Sequence, residues 1–204
     1  MFINEMNIDG ETFPIAFKRA EKVLKRFERI GGKTLDPAIN QLRYASRHFV
    51  EALEADKEAD RIESLRKALS HCHRAEYDSI DAAVAVIGAN LVDFDSRYLE
   101  SSICSVIPDY ADLYSRAKSY LTRLSLEDAP RDIKSFELGV YGKELDALVD
   151  IWASISAKCP LVEKLDLEKR LEIRATARRH MTNVLLAILG IVVTILVGIV
   201  AKLF

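Results

Sequence analysis

Residues 181–201 read MTNVLLAILGIVVTILVGIVA, an uncharged run rich in valine, isoleucine and leucine. A helix of this length extends over about 31 Å, close to the ~30 Å thickness of the hydrocarbon core of a bilayer. A core helix of a globular domain would show a polar stripe, and this run shows none. The sequence therefore predicts one C-terminal transmembrane helix over residues 181–204.

Basic residues are concentrated on one side of this run. Six of them precede it, from Lys164 to Arg179, and only Lys202 follows it. Because basic residues stay on the cytoplasmic side, the sequence predicts a single-pass protein of the inner (cytoplasmic) membrane whose N-terminal domain is cytosolic. The residues expected to contact lipid headgroups are Lys169, Arg170, Arg174, Arg178 and Arg179.

Small and polar residues recur at intervals of three or four within the apolar run. Such residues let helix backbones approach closely, which favours association of several copies and a homo-oligomer. A pore would also require several copies, because one helix cannot enclose a channel. The alternative is chance, since glycine and alanine are common in membrane helices. The predicted association or pore face consists of Asn183, Ala187, Gly190, Thr194 and Gly198.

The remaining sequence predicts an all-α protein. Residues 1–165 are expected to form a cytosolic bundle of five to six helices, and residues 166–180 a basic juxtamembrane helix that continues unbroken into the span. Pro14 suits the first turn of a helix that ends at Gly31-Gly32, and Asp36-Pro37 suits an N-cap and first position. No strand is predicted. Positions predicted to face the core include Ile15, Phe27, Leu53 and Trp152.

Signatures of enzymes and metal sites are missing from the sequence. The run Gly31-Gly32-Lys33-Thr34 resembles the end of a P-loop, but Phe27 stands where that motif requires glycine, and a helix precedes it instead of a strand. His71-Cys72-His73 cannot converge on one ion, because adjacent helical residues point about 100° apart. We therefore expect no catalytic residues, no metal and no cofactor, and a protein that is not an enzyme.

A stripe of basic residues marks the first predicted helix. Lys18, Lys22, Lys25 and Arg29 follow at i, i+4, i+7 and i+11, and Arg43 and Arg47 lie four apart on the next helix. These six residues are predicted to bind an anion such as a nucleotide, an oligonucleotide or a lipid headgroup. The alternative is a solvated face, neutralised within a chain or between protomers by the acids Glu51, Glu54, Asp56, Glu58 and Asp60.

In layout, with a helical domain, a basic surface and one terminal span, the chain resembles the small tail-anchored effectors of bacterial anti-phage defence, of the Hailong type. The resemblance covers architecture and no aligned motif, so no residue is carried over. It implies an oligonucleotide signal that controls a membrane channel. The predicted function is thus an oligomeric, ligand-controlled pore or membrane-disrupting effector. The alternative is a tail-anchored helical scaffold or adaptor that recruits protein partners to the membrane.

Overall fold

Helices dominate the computed structural model of this chain, which describes the backbone of residues 7–8, 10–125 and 131–203 and the side chains of residues 8, 10–125 and 141–193. The all-helical character predicted from the sequence is confirmed. The elements in chain order are β1 (Asn7–Ile8), β2 (Glu11–Thr12), α1 (Phe13–Gly31), α2 (Asp36–Glu54), α3 (Glu58–Arg97), α4 (Glu100–Val106), α5 (Tyr110–Leu124), α6 (Arg131–Ser156) and α7 (Cys159–Leu203).

A short antiparallel hairpin precedes the first helix and was not predicted. In it, Asn7 pairs with Thr12 and Ile8 pairs with Glu11. Gly10 takes a φ of 88°, which glycine adopts without a steric penalty. Strands of two residues are too short to produce a readable alternation of polar and apolar residues, which explains why the sequence pattern missed them.

The ends of α1 follow the sequence signals closely, whereas the start of α2 differs. Pro14 lies in the first turn of α1, and Gly32 closes the helix in the left-handed conformation, donating its N–H to the carbonyl of Glu28 at 2.9 Å. In α2 the N-cap is Leu35, and Asp36 is already helical without a side-chain capping bond. The predicted N-cap role of Asp36 is therefore wrong by one residue.

The 40-residue helix α3 is the central support of the bundle, and α1 and α2 both pack against its N-terminal half. Several contact positions are alanines, which allow close approach of the helices. α5 and α6 also contact α3 and each other. One core cluster contains Phe13, Ala16, Ala45, Ala68, Leu69 and Cys72, and a second contains Ala20, Leu24, Ala38, Leu42 and Ala75.

Two predicted core residues lie on the surface instead. Ile15 is 59% exposed because it lies about 100° around the helix from Ala16, which occupies the core face. Leu53 is 56% exposed and lies in the last turn of α2. Trp152 is half-buried beside the buried Ile151, so its predicted core position is only partly realised.

By compactness the chain divides into two units. The first combines Met1–Arg97 with Asp109–Ser156, and the second combines Tyr98–Pro108 with Ala157–Phe204. In the second unit the short helix α4, which was not predicted, packs against the start of α7. The buried carboxylate of Asp166 accepts a hydrogen bond from the backbone N–H of Leu99 at 2.7 Å, ahead of the first turn of α4.

α7 is one unbroken helix of 45 residues, so the predicted continuity from residue 166 onward is confirmed. The predicted transmembrane helix is contradicted: in the part of the chain that is described, no helix is long and apolar enough to cross a membrane.

Several predictions fall with this correction. The single C-terminal transmembrane helix over 181–204, the tail-anchored single-pass location in the inner membrane and the ion channel all depended on a span of about 20 apolar residues. These contradicted predictions are not carried further. The lipid-contacting role of the basic residues before the run is not tested by this finding and stays a prediction.

Candidate functional site

The predicted basic stripe forms one exposed face of α1. Lys18, Lys22, Lys25 and Arg29 are all exposed, as their helical spacing requires. They line a shallow, open depression together with Glu21 and Arg26, and all six lining residues belong to α1. We call this surface the basic face. Like charges at intervals of three and four repel one another, so this arrangement opposes helix formation and is not explained by the stability of α1.

Ion pairs neutralise only part of the basic face. Lys25 pairs with Glu21 at 2.8 Å, and both side chains are exposed. Arg26 contacts Asp146 of α6. Within the described part of the chain, Lys18, Lys22 and Arg29 form no ion pair. The six lining residues sum to +5 − 1 = +4, and Asp146 reduces this to +3.

The two arginines predicted on α2 have local partners and do not line the basic face. Arg43 donates to the side-chain carbonyl of Asn40 at 3.2 Å. Arg47 pairs with Glu51 at 3.0 Å, and Glu51 also bonds His48 at 2.7 Å. The hydrogen bond from His48 holds the pKa of Glu51 below its ordinary value. The structure therefore brings together four of the six predicted anion-binding residues.

The acids proposed to neutralise the stripe are directed elsewhere. Glu51 is engaged on α2, and Glu58 pairs with Arg61 on its own helix. No described ion pair links Glu54, Asp56 or Asp60 to the basic face. Neutralisation of the stripe by these acids within one chain is thus excluded for the described residues.

A network of charged residues that sequence analysis missed lies between the hairpin, α1 and α3. Arg19 donates from Nε to Glu76 at 2.6 Å and also contacts Glu11, and Glu11 bonds Nε2 of His73 at 2.7 Å. Glu76 is only 1% exposed, and burial raises its pKa. The bond to His73 lowers the pKa of Glu11. Partners 57 and 62 residues apart leave no local sequence signal.

The His71-Cys72-His73 run does not form a metal site. His71 bonds Gln41 at 2.6 Å and stacks on His48, whereas His73 bonds Glu11. Cys72 is buried in the core, and burial raises its pKa to about 12. Among the described residues, no group of three or more His, Cys, Asp or Glu side chains could hold a metal ion.

The residues singled out on α7 fall into three groups. Lys169 donates to the carbonyl of Ser101 at 2.6 Å, and Arg170 donates to Asp166 at 2.5 Å, so both bind within their own unit. The other basic residues, Arg174, Arg178 and Arg179, are exposed, as are Asn183, Ala187 and Gly190. Thr194 and Gly198 lie outside the residues whose side chains are described.

The apolar side chains of α7 form a second unusual surface. Every described residue from 170 to 193 is exposed. A contiguous apolar surface of this kind is rare on monomers and marks a place of interaction. We call the residues of this surface the apolar segment of α7: Met181, Val184, Leu185, Leu186, Ile188, Leu189, Ile191, Val192 and Val193, each between 45% and 66% exposed.

Comparison of this chain with protein-family models, with curated proteins and with solved structures gave no match. The candidate sites therefore rest on the geometry of the chain itself.

Proposed function

We propose that this protein binds a phosphate-bearing anion on the basic face of α1 and acts as a ligand-responsive, self-associating helical effector. The observation that carries the proposal is that Lys18, Lys22 and Arg29 are exposed on one face and form no ion pair with any other described residue. Bacterial anti-phage defence, suggested by the resemblance in layout, is the proposed setting. The proposal includes no membrane span and no pore.

The shape of the basic face indicates what kind of anion fits it. From Lys18 to Arg29 the face extends over about 16 Å, and it is open because one helix supplies every lining residue. An open row of cations suits several phosphates in sequence better than a single enclosed phosphate. Among the described residues that line the surface, none is an aromatic side chain on which a base could stack. Recognition of phosphates without preference for base sequence follows from these two properties.

Binding of labelled nucleotides to the full chain tests this proposal. Fluorescence anisotropy with a single-stranded oligonucleotide should show an affinity that falls with salt, with a slope of log K against log salt of about −2 to −3 for three to four phosphates. The double variant Lys22→Glu with Arg29→Glu should weaken binding on the order of tenfold or more.

A matched control changes the same net charge elsewhere. Arg66→Glu with Lys118→Glu reverses one exposed arginine and one exposed lysine outside the basic face, and it should leave most of the affinity intact. If both double variants weakened oligonucleotide binding equally, the effect would come from the overall charge of the protein and not from the basic face. Absence of binding by the unaltered chain at about 50 mM salt, where a contact with three to four phosphates is strongest, would refute the proposal.

A helical scaffold assembled from several copies is the second candidate function, and the apolar segment of α7 favours it. A helix that is apolar on all sides is stable in water only when neighbours cover it. Within the described chain nothing covers this segment, and identical segments of other copies have the matching composition. Association of three or more copies would surround each α7, whereas a dimer would cover one side only.

Sedimentation of the full chain in detergent-free buffer tests the scaffold. Leu185→Gln with Leu189→Gln should shift the assembly toward smaller species, while Val50→Gln with Val92→Gln, two exposed valines outside α7, should not. Unchanged assembly in the α7 variant would refute the self-association surface. Monomers that collect on lipid vesicles instead of associating with each other would also overturn it.

A further inference from the structure

The N-terminal hairpin is attached to the bundle by few contacts. β1 contacts α3, and β2 contacts α1. Ile8 packs against the core cluster that includes Phe13 and Cys72. The hairpin has only two residue pairs, and a two-stranded hairpin of this size is not stable by itself in water. Its position therefore depends on how it is tied to the helices.

Glu11 provides the polar tie, and it uses both carboxylate oxygens. Oε1 of Glu11 contacts Arg19 on α1, and Oε2 bonds Nε2 of His73 on α3 at 2.7 Å. The Glu11 side chain is 21% exposed, so these bonds are partly shielded from water. One side chain thus fastens β2 to two helices at once.

The anchor for this tie is built into the core and does not require the hairpin. Arg19 is held by Glu76, which is almost completely buried, at 2.6 Å. If Glu11 moves away, Arg19 keeps a full carboxylate partner, so the bundle loses no buried ion pair. The hairpin can therefore separate from the bundle without leaving an uncompensated charge inside it.

We propose that the hairpin is a releasable strap, fastened by Glu11 to Arg19 and His73, whose release uncovers the apolar cluster around Cys72. Ile8 and Glu11 move together because they form one of the two pairs of the hairpin. Release removes the apolar cover and the polar tie in one step. The rest of the cluster remains packed between α1, α2 and α3.

Cys72 reports this opening directly. It is fully buried, and the chain has two other cysteines, so Cys104→Ser with Cys159→Ser leaves it as the single thiol. In that background, Glu11→Gln should increase the rate of maleimide labelling of Cys72 at constant pH on the order of tenfold, the usual effect of losing charge-assisted bonds. Circular dichroism should show unchanged helix content.

The matched control is Glu63→Gln, which breaks an exposed pair with Lys67 on α3 away from the hairpin. It should leave the labelling rate unchanged. His73→Gln keeps a side-chain donor and should retain most of the protection, whereas His73→Ala should label nearly as fast as Glu11→Gln. This split between the two His73 variants would not result from general destabilisation.

The response to urea separates release of the strap from unfolding of the bundle. Strap release exposes little surface, so the labelling rate of Glu11→Gln should be almost independent of urea at low concentrations. A rate that rises steeply from the first additions of urea would mean that Cys72 is labelled through global unfolding, and the strap would be refuted. A Glu11→Gln variant that labels as slowly as the unaltered background would refute it too.

Discussion

Helices α1 and α7 use similar side chains in opposite ways. α1 turns most of its apolar residues into the core, where Phe27 is 1% exposed, and keeps the cations of its basic face on the outside. α7 carries many charged residues between positions 163 and 179 and continues into an apolar segment whose described side chains are all exposed. The first helix finds its apolar partners inside the chain, and the second leaves them uncovered.

This contrast indicates where each helix gets its stability. A helix with one apolar stripe needs a single neighbouring surface, and α3 supplies it for α1. The apolar segment of α7 has no polar side to turn toward water, so one intrachain neighbour would not suffice. The two helices should therefore respond to mutation, salt and concentration in different ways.

Truncating one buried residue of α1 and one exposed residue of α7 should give the largest difference in stability between the two helices. Phe27→Ala should lower the free energy of unfolding by about 3–5 kcal/mol, because it leaves a cavity in the core. Leu189→Ala, 59% exposed, should leave it nearly unchanged at concentrations where the chain is dissociated. Urea denaturation followed by circular dichroism measures both. A large loss of stability for Leu189→Ala would mean that α7 is packed within its own chain.

A bulkier residue on α7 should affect association without affecting folding. Apart from the neighbouring backbone of its own helix, no described atom lies within 4 Å of a Cβ placed at Gly190, so the described chain leaves room for Gly190→Leu. If copies pack closely at this position, the variant should raise the concentration for half-assembly on the order of tenfold. Sedimentation at several concentrations measures this. Normal assembly by Gly190→Leu would remove Gly190 from the predicted association face.

Salt should weaken binding at the basic face of α1 but should not weaken association through α7. Phosphate binding at the basic face should weaken as salt rises, because bound phosphates replace counterions. Association through α7 should strengthen or stay constant, since it buries apolar surface and brings the exposed Arg174, Arg178 and Arg179 of several copies together. Between about 50 and 300 mM salt, fluorescence anisotropy measures binding at the basic face and sedimentation measures association through α7. A parallel decline of both would contradict the separation of the two surfaces.

Acid should act on the tie between the hairpin and α1, with the smallest effect. Glu11 faces Arg19, His73 and Glu76, and its lowered pKa means that docking favours the carboxylate. Its contribution is present above the ordinary pKa near 4.5 and is lost as pH falls through the lower folded value. Glu76 has the opposite sign, because its raised pKa favours the protonated form.

Hydrogen exchange of the hairpin amides between pH 3 and 6 is the measurement for this effect. Protection should decrease at the acid end in the unaltered chain and should be low at every pH in Glu11→Gln. Equal protection in both, at every pH, would show that Glu11 does not hold the hairpin.

Local signals made the helices predictable, and long-range pairing made the charged network unpredictable. Pro14 and Gly32 mark the two ends of α1, and the 3–4 spacing of its apolar residues predicted the buried Phe27. The basic face followed from the same periodicity. Arg19, adjacent to Lys18, points inward to Glu76, 57 residues away, and nothing near it in the sequence indicates this. The transmembrane prediction is contradicted, because no helix in the described part of the chain is long and apolar enough to cross a membrane.

Because α7 is unbroken, the angle about the helix axis between its first turns and its apolar segment is fixed. A 45-residue helix extends over about 67 Å and turns by about 100° per residue. The contact of Asp166 and Lys169 with the α4 region sets the rotation at one end. One residue inserted near Ala175 would turn the apolar segment by about 100°, whereas seven would restore the angle to within about 20° and add only length. Insertions in α7 can thus change the direction in which the apolar segment faces separately from its distance to the start of the helix.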